Sequence, residues 1–164
     1  MKVKRLTELS LMTGISLSLF ALEMLIPNPF PIPGIKLGLA NIVTVFAIYR
    51  YSAKETLLVL LARILLSSMF SGSLTTLLYS LTGGLLCFSG MLLLRKWVNE
   101  KHMYISSVIG AILHNIGQIS AAIAVTKTMA IISYLPFLLV SGCLAGAFTG
   151  LCAQMAAGRI RGRN

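Results

Sequence analysis

Charged residues are scarce in this sequence of 164 amino acids, and aspartate is absent altogether. Charged side chains make up 11% of the chain, against about 25% in a typical soluble domain. Hydrophobic residues make up 57%, and the mean hydropathy is +0.89. The chain has too little polar surface to face water on all sides, so we predict an integral membrane protein.

Motifs of common catalytic and metal sites are also missing. There is no G-x-x-x-x-G-K-[ST] phosphate-binding loop, no H-E-x-x-H pair and no Ser–His–acid set. The three cysteines, Cys87, Cys143 and Cys152, lie in apolar segments without metal-ligand spacing. We therefore expect no metal site, no cofactor and no enzymatic activity. The only acids are Glu8, Glu23, Glu55 and Glu100.

The hydrophobic residues fall into six runs, which predict an all-α polytopic membrane protein with one transmembrane domain over residues 1–164. The predicted helices cover residues 6–26, 35–49, 53–70, 74–94, 103–125 and 132–157. A membrane-spanning helix needs roughly 20 residues, so the second run is short. Four prolines between Pro27 and Pro33 end the first run, because proline cannot continue a helix.

The basic residues predict the orientation. Of the 14 lysines and arginines, all but three flank the runs on one side, with Lys36 and Lys127 on the other side and Arg63 inside the third run. The positive-inside rule then places both termini in the cytoplasm, and we expect a multi-pass protein of the bacterial cytoplasmic membrane. Because these charges lie between apolar segments, the net charge of +10 does not indicate nucleic-acid binding. The eleven are Lys2, Lys4, Arg5, Arg50, Lys54, Arg95, Lys96, Lys101, Arg159, Arg161 and Arg163.

Polar residues within the predicted spans lie between the midplane and the outer surface. Because polar groups inside a membrane are costly and usually face a cavity or a partner, this clustering predicts one outward-opening polar cavity that binds a small molecule. The candidate substrate-binding residues are Glu23, Lys36, Asn41, Arg63, His114, Asn115, Gln118 and Tyr134.

Structural roles remain open for each of these residues. Glu23 and Arg63 could form a buried ion pair that orders the bundle. His114, Asn115 and Gln118 could form hydrogen bonds between helices, and Tyr134 could be an aromatic residue of the membrane interface.

Two stripes of small residues recur at four-residue spacing, one on the first helix and one on the sixth. Such stripes allow helix backbones to approach closely. Either stripe could serve internal packing or the docking of another membrane protein, and we favour the first as the docking face. The stripes are Ser10, Gly14 and Ser18, and Gly142, Gly146 and Gly150.

Several blocks of the sequence resemble the Gx transporter family, which is also catalogued as heptaprenyl diphosphate synthase component I. The resemblance extends over nearly the whole chain, and it rests most specifically on P-G-I-K-L-G-L-A-N at 33–41 and H-N-I-G-Q at 114–118. That family is in turn similar to the substrate-binding S components of energy-coupling factor (ECF) transporters. The resemblance implies six helices, a first loop that covers the substrate, and small residues on the first helix that dock a coupling protein. Serine and glycine stand here where an alanine pair is typical of the docking stripe.

The function implied is uptake of a small anionic or amphiphilic molecule, energised by separate ATPase and coupling subunits in the lipid bilayer. An alternative is a non-catalytic accessory subunit in polyprenyl diphosphate or quinone synthesis. Prenyl diphosphate synthases hold magnesium and diphosphate with aspartate-rich motifs, which a chain without aspartate cannot supply. Lys36, Arg63 and His114 would pair with an anionic group, whereas the amide side chains would give neutral hydrogen bonds.

Overall fold

The computed structural model describes residues 3–26 and 38–161, and these ranges contain helices but no β-strand. Two short 3-10 helices cover Glu100–His102 and Met129–Tyr134. The six α-helices are α1 (Val3–Leu25), α2 (Asn41–Arg50), α3 (Ala53–Ser71), α4 (Leu74–Leu94), α5 (Met103–Thr126) and α6 (Leu135–Arg161).

Four helical stretches are long and apolar enough to cross a membrane. They are Val3–Leu25, Leu74–Leu94, Glu100–Thr126 and Met129–Ile160. Helix α3 has 19 residues but carries three charged side chains near or within its apolar stretch. Helix α2 has only 10 residues, which corresponds to about 15 Å. The chain is thus an all-α protein with four candidate membrane-spanning helices in its described ranges.

The second helix begins later than the hydropathy pattern predicts. The expected start is residue 35, but α2 begins at Asn41, and residues 35–37 lie outside the described ranges. Gly38 has a φ of +85°, which does not belong to a right-handed helix. The N–H groups of Gly38 and Leu39 donate to the Glu23 carboxylate. This contact from α1 holds residues 38–40 as a turn that leads into α2.

The connections from α2 to α3 and from α3 to α4 are short and have their own local stabilisation. Ser52 forms a capping box with Glu55 at the start of α3, which satisfies two otherwise free backbone N–H groups. At the other end of α3, Gly72 adopts the left-handed conformation with φ of 59°, and Ser73 caps α4. Residues 71–73 thus form a tight turn that makes α3 and α4 antiparallel neighbours.

Helix α2 is the centre of the bundle. It contacts all five other α-helices, and its side chains from Val43 to Ile48 are all buried. Helices α4, α5 and α6 pack closely side by side, while α1 packs mainly on α3. The end with Arg5, Arg50 and Arg95 is called the basic end below, and the end with Gly72 and Lys127 is called the opposite end.

The last helix begins at Leu135 rather than at residue 132, because Met129–Tyr134 forms a 3-10 helix. Pro136 is the second residue of α6. Proline fits the first turn of a helix, where its missing N–H would have no helical partner.

Candidate functional site

The predicted polar side chains that face the interior come from several helices. Glu23 of α1, Asn41 of α2 and Arg63 of α3 are between 6% and 8% exposed, and His114 and Gln118 of α5 are 7% and 2% exposed. We call Asn41, Arg63, His114 and Gln118 the Arg63 cluster.

The Glu23 carboxylate binds backbone rather than Arg63. Its Oε1 accepts a hydrogen bond from the Gly38 N–H at 2.5 Å, and its Oε2 accepts one from the Leu39 N–H at 3.1 Å. Ser16 supports the same segment by donating to the Ala40 carbonyl at 3.2 Å. Two side chains of α1 thereby position the start of α2, and with it Asn41.

Arg63 is held by a neutral partner. Its Nη2 donates to Asn41 Oδ1 at 3.4 Å, which is long for a hydrogen bond. It also interacts electrostatically with Glu23 and His114, but the ion pairs within 4.0 Å among the described residues all lie at the basic end. Residues 1–2, 27–37 and 162–164 contain no acidic side chain. No side-chain carboxylate therefore contacts the Arg63 guanidinium directly.

Three buried atoms of the cluster have no hydrogen-bond partner among the described residues. They are Arg63 Nε, His114 Nδ1 and Gln118 Oε1. A buried polar atom without a partner costs about 1–3 kcal/mol, and such atoms are rare in native proteins. Three in one predicted site are consistent with groups that bind an incoming molecule.

The remaining predicted residues are placed differently. Asn115 donates from Nδ2 to the Leu138 carbonyl of α6 at 2.5 Å, which is a hydrogen bond between two helices. Tyr134 is 37% exposed at the end of a 3-10 helix, and Lys36 lies outside the described residues. The cluster thus includes four of the eight candidates, with Glu23 supporting it through backbone contacts.

A small cavity of about 10 Å³ adjoins the cluster beside Asn41. This volume corresponds roughly to one water molecule. Its lining includes Cys87 of α4 and both Ser107 and Ala111 of α5. The cavity shows that the α5 face with these residues points toward Asn41.

A family model described as heptaprenyl diphosphate synthase component I matches residues 12–156. The matched range runs from α1 into α6 and includes the whole Arg63 cluster. The chain belongs to this family. Comparisons with curated proteins and with solved structures found no match.

In this family member, the two stripes of small residues have different surroundings. A Cβ added at Gly146 or Gly150 would overlap the backbone of α5, and one added at Gly142 would overlap the Asn115 amide. The stripe on α6 therefore serves internal packing. On α1, by contrast, Ser10, Gly14 and Ser18 are exposed, and a Cβ at Gly14 would meet no atom within 4 Å.

An ion-pair network that sequence reasoning missed lies at the basic end. Arg5 donates to both oxygens of Glu55, at 2.7 and 2.9 Å, and to Glu8 at 3.2 Å. Its guanidinium also lies 4.3 Å from the centre of the Tyr51 ring, which is a favourable cation–π geometry. Burial of the Tyr51 hydroxyl raises the pKa of this side chain. Arg5 and Glu55 are 50 residues apart in sequence, which gives no local signal of pairing, so only the tertiary structure reveals this contact.

A cleft of about 490 Å³ opens beside this network. Most of its polar lining is already paired, since Arg50 lies 3.8 Å from Glu100 and the Tyr49 hydroxyl is 2.6 Å from Ser106 Oγ. The cleft is larger than the cavity at Asn41, but its charges neutralise one another. We therefore place the candidate binding site at the Arg63 cluster, where polar atoms are available.

Proposed function

We propose that this protein is a membrane-embedded, substrate-binding subunit, similar to an S component, for uptake of a small anionic or amphiphilic molecule. Separate ATPase and coupling subunits would supply the energy. The observation that carries the proposal is the buried Arg63 guanidinium without a contacting carboxylate. Burying an unpaired charge is strongly unfavourable, and an anionic group on the substrate would compensate for it.

The proposed topology has six crossings with both termini in the cytoplasm. Arg5, Arg50 and Arg95 share one end of the bundle, as the positive-inside rule requires for a cytoplasmic face. The chain returns from the opposite end to the basic end between Leu25 and Arg50. This return supports a second crossing, although α2 alone has about half the length that a membrane span needs.

The exposed stripe on α1 supports docking of a membrane coupling protein. Small side chains let a partner helix approach closely, and Gly14 has free space where a partner could pack. Gly14→Leu should therefore abolish co-purification of the coupling protein and ATPases. Gly158→Leu is the matched control, because Gly158 also has free space but lies on α6. If both variants still co-purify with the coupling protein and ATPases, docking at the stripe is contradicted.

We further propose that the chain is not itself an enzyme. Two of its four glutamates pair with Arg5, and Glu23 binds backbone N–H groups. The family description favours the second candidate function, a non-catalytic accessory subunit of polyprenyl diphosphate synthesis. Neighbouring genes for ATPases and a coupling protein would favour uptake, whereas a neighbouring prenyl synthase gene would favour the accessory role.

The substrate proposal is tested by identifying what the purified protein retains. Small molecules extracted from the wild type, Arg63→Gln and Lys54→Gln are compared by mass spectrometry. Lys54→Gln is the matched control, because it removes one positive charge from an exposed position. We expect an anionic small molecule in the wild type and the control but not in Arg63→Gln. The same molecules in all three proteins, or no such molecule in any, would contradict the proposal.

A further inference from the structure

We infer that the substrate carries a hydrogen-bond donor, an O–H or N–H group, about one helical turn away from its anionic group. This inference rests on the proposed function and narrows its substrate class. It assigns the anionic group to Arg63 and His114, and the donor to the side-chain carbonyl of Gln118.

The first observation is the chemistry of the atoms without partners. Arg63 Nε carries an N–H and can only donate, so it selects an acceptor on the substrate. Gln118 Oε1 is a carbonyl oxygen and can only accept, so it selects a donor. Gln118 is 2% exposed, which keeps bulk water from satisfying this oxygen. A molecule with acceptors alone would leave it unpaired.

The second observation is the arrangement along α5. Ser107, Ala111, His114 and Gln118 follow one another at helical spacing on a single face. Ser107 and Ala111 line the cavity beside Asn41, so the part of this face that carries them borders Asn41. Gln118 lies four residues beyond His114 in the direction of the opposite end, a rise of about 6 Å. The donor and the anionic group should be separated by a similar distance.

These two constraints exclude a plain fatty acid or a quinone, because the first has no second polar group and the second has only acceptors. They favour a small hydroxylated or amino-substituted anion. A site that binds a substrate hydroxyl discriminates strongly against analogues without it, because its own buried polar atom is then left unpaired.

Three rigid probes differ only at the position that Gln118 would bind: 4-hydroxybenzoate, 4-methoxybenzoate and benzoate. The para-hydroxyl group stands across the ring from the carboxylate, at a separation similar to one helical turn. Calorimetric titration of the full-length protein in detergent would measure their dissociation constants. We expect 4-hydroxybenzoate to bind about tenfold more tightly than the other two, the effect of one buried unpaired acceptor.

Variants of Gln118 test whether this side chain causes the preference for 4-hydroxybenzoate. Gln118→Leu, and Gln118→Met as a second variant in case the first does not fold, should bind the three probes equally. Ser120→Ala is the matched control on the exposed face of α5 and should keep the tenfold preference. Thermal unfolding of each variant verifies that it is folded.

The outcomes separate this inference from the proposed function. One result would be equal binding of all three probes to the wild type, with binding lost in Arg63→Gln. That result would overturn the inferred hydrogen-bond donor on the substrate and would leave the anion site at Arg63 intact. A preference that persists in both Gln118 variants would overturn its assignment to Gln118. Failure of all three probes to bind would overturn the inference, while the molecules retained by the purified protein would still decide the proposed function.

Discussion

Gly117 of α5 packs directly against the backbone of α4, and a methyl group there should disrupt the bundle. A Cβ added at Gly117 would lie 2.8 Å from Gly83 Cα, 2.9 Å from Gly83 N and 2.9 Å from the Thr82 carbonyl oxygen. All three are backbone atoms, so no change of rotamer can relieve the overlap. Gly117→Ala must therefore move α4 and α5 apart.

The expected cost is about 1–3 kcal/mol, the usual range for overpacking a well-packed interior. The displacement should also weaken anion binding, because the His114 ring packs against Gly83. Gly14→Ala is the matched control, since the same methyl group on α1 would meet no atom within 4 Å. Alanine has the higher helix propensity, by about 1 kcal/mol in soluble helices, so this variant should be neutral or slightly more stable.

Thermal unfolding of the wild type and both variants in the same detergent gives the comparison, with 4-hydroxybenzoate titration as the second measurement. We expect a lower unfolding midpoint for Gly117→Ala only. Equal midpoints for the two variants would show that α4 and α5 do not approach each other as closely as the structure indicates.

Three further predictions concern the cluster support, the ion-pair network and the topology. Glu23→Gln should lower stability by about 1–3 kcal/mol, because hydrogen bonds from two backbone N–H groups to a carboxylate are stronger than those to a neutral amide. In chemical unfolding its coupling with Arg63→Gln should be smaller than that of a direct buried ion pair, since the two side chains interact electrostatically without contact. Arg5→Gln should lower the unfolding midpoint by removing the bidentate contact to Glu55, with a smaller loss at high salt because exposed charges are screened. A cysteine at position 99 should be protected from an impermeant thiol reagent in intact cells, while one at position 128 should react.

Each of these predictions has a defined contradiction. A large coupling energy between Glu23→Gln and Arg63→Gln would mean that the two side chains interact directly. A salt-independent loss in Arg5→Gln, compared with Lys54→Gln, would argue against an electrostatic role of the network. Reaction at position 99 without reaction at position 128 would show that the topology is inverted relative to the prediction. Cys143 and Cys152 are replaced before this labelling experiment.

The helical segments were largely predictable because hydrophobic runs and turn residues act locally. Both ends of α3 and the start of α4 follow from Ser52, Gly72 and Ser73, whose capping roles depend on a few adjacent residues. The start of α2 was not predictable in this way. It depends on two hydrogen bonds from the backbone of Gly38 and Leu39 to Glu23, which lies on α1 and outside the segment that leads into α2.

The candidate site was predictable as a set of polar residues but not as a set of contacts. Helical spacing places His114 and Gln118 on one face, whereas Asn115, the next residue after His114, turns to α6. Glu23 was the only acid available to pair with Arg63 in the outer half, yet its carboxylate binds backbone. Which polar atoms meet depends on how the helices are rotated and how deep each one sits.

By itself, then, the sequence determined the membrane class of this protein and its helical segments, since these depend on composition and on local transfer free energies. Only the tertiary structure decided between two similar stripes of small residues. Gly146 packs on α5, while Gly14 remains exposed. The reason is physical: spacing along a helix defines which residues share a face, but the packing of the other helices decides what that face meets.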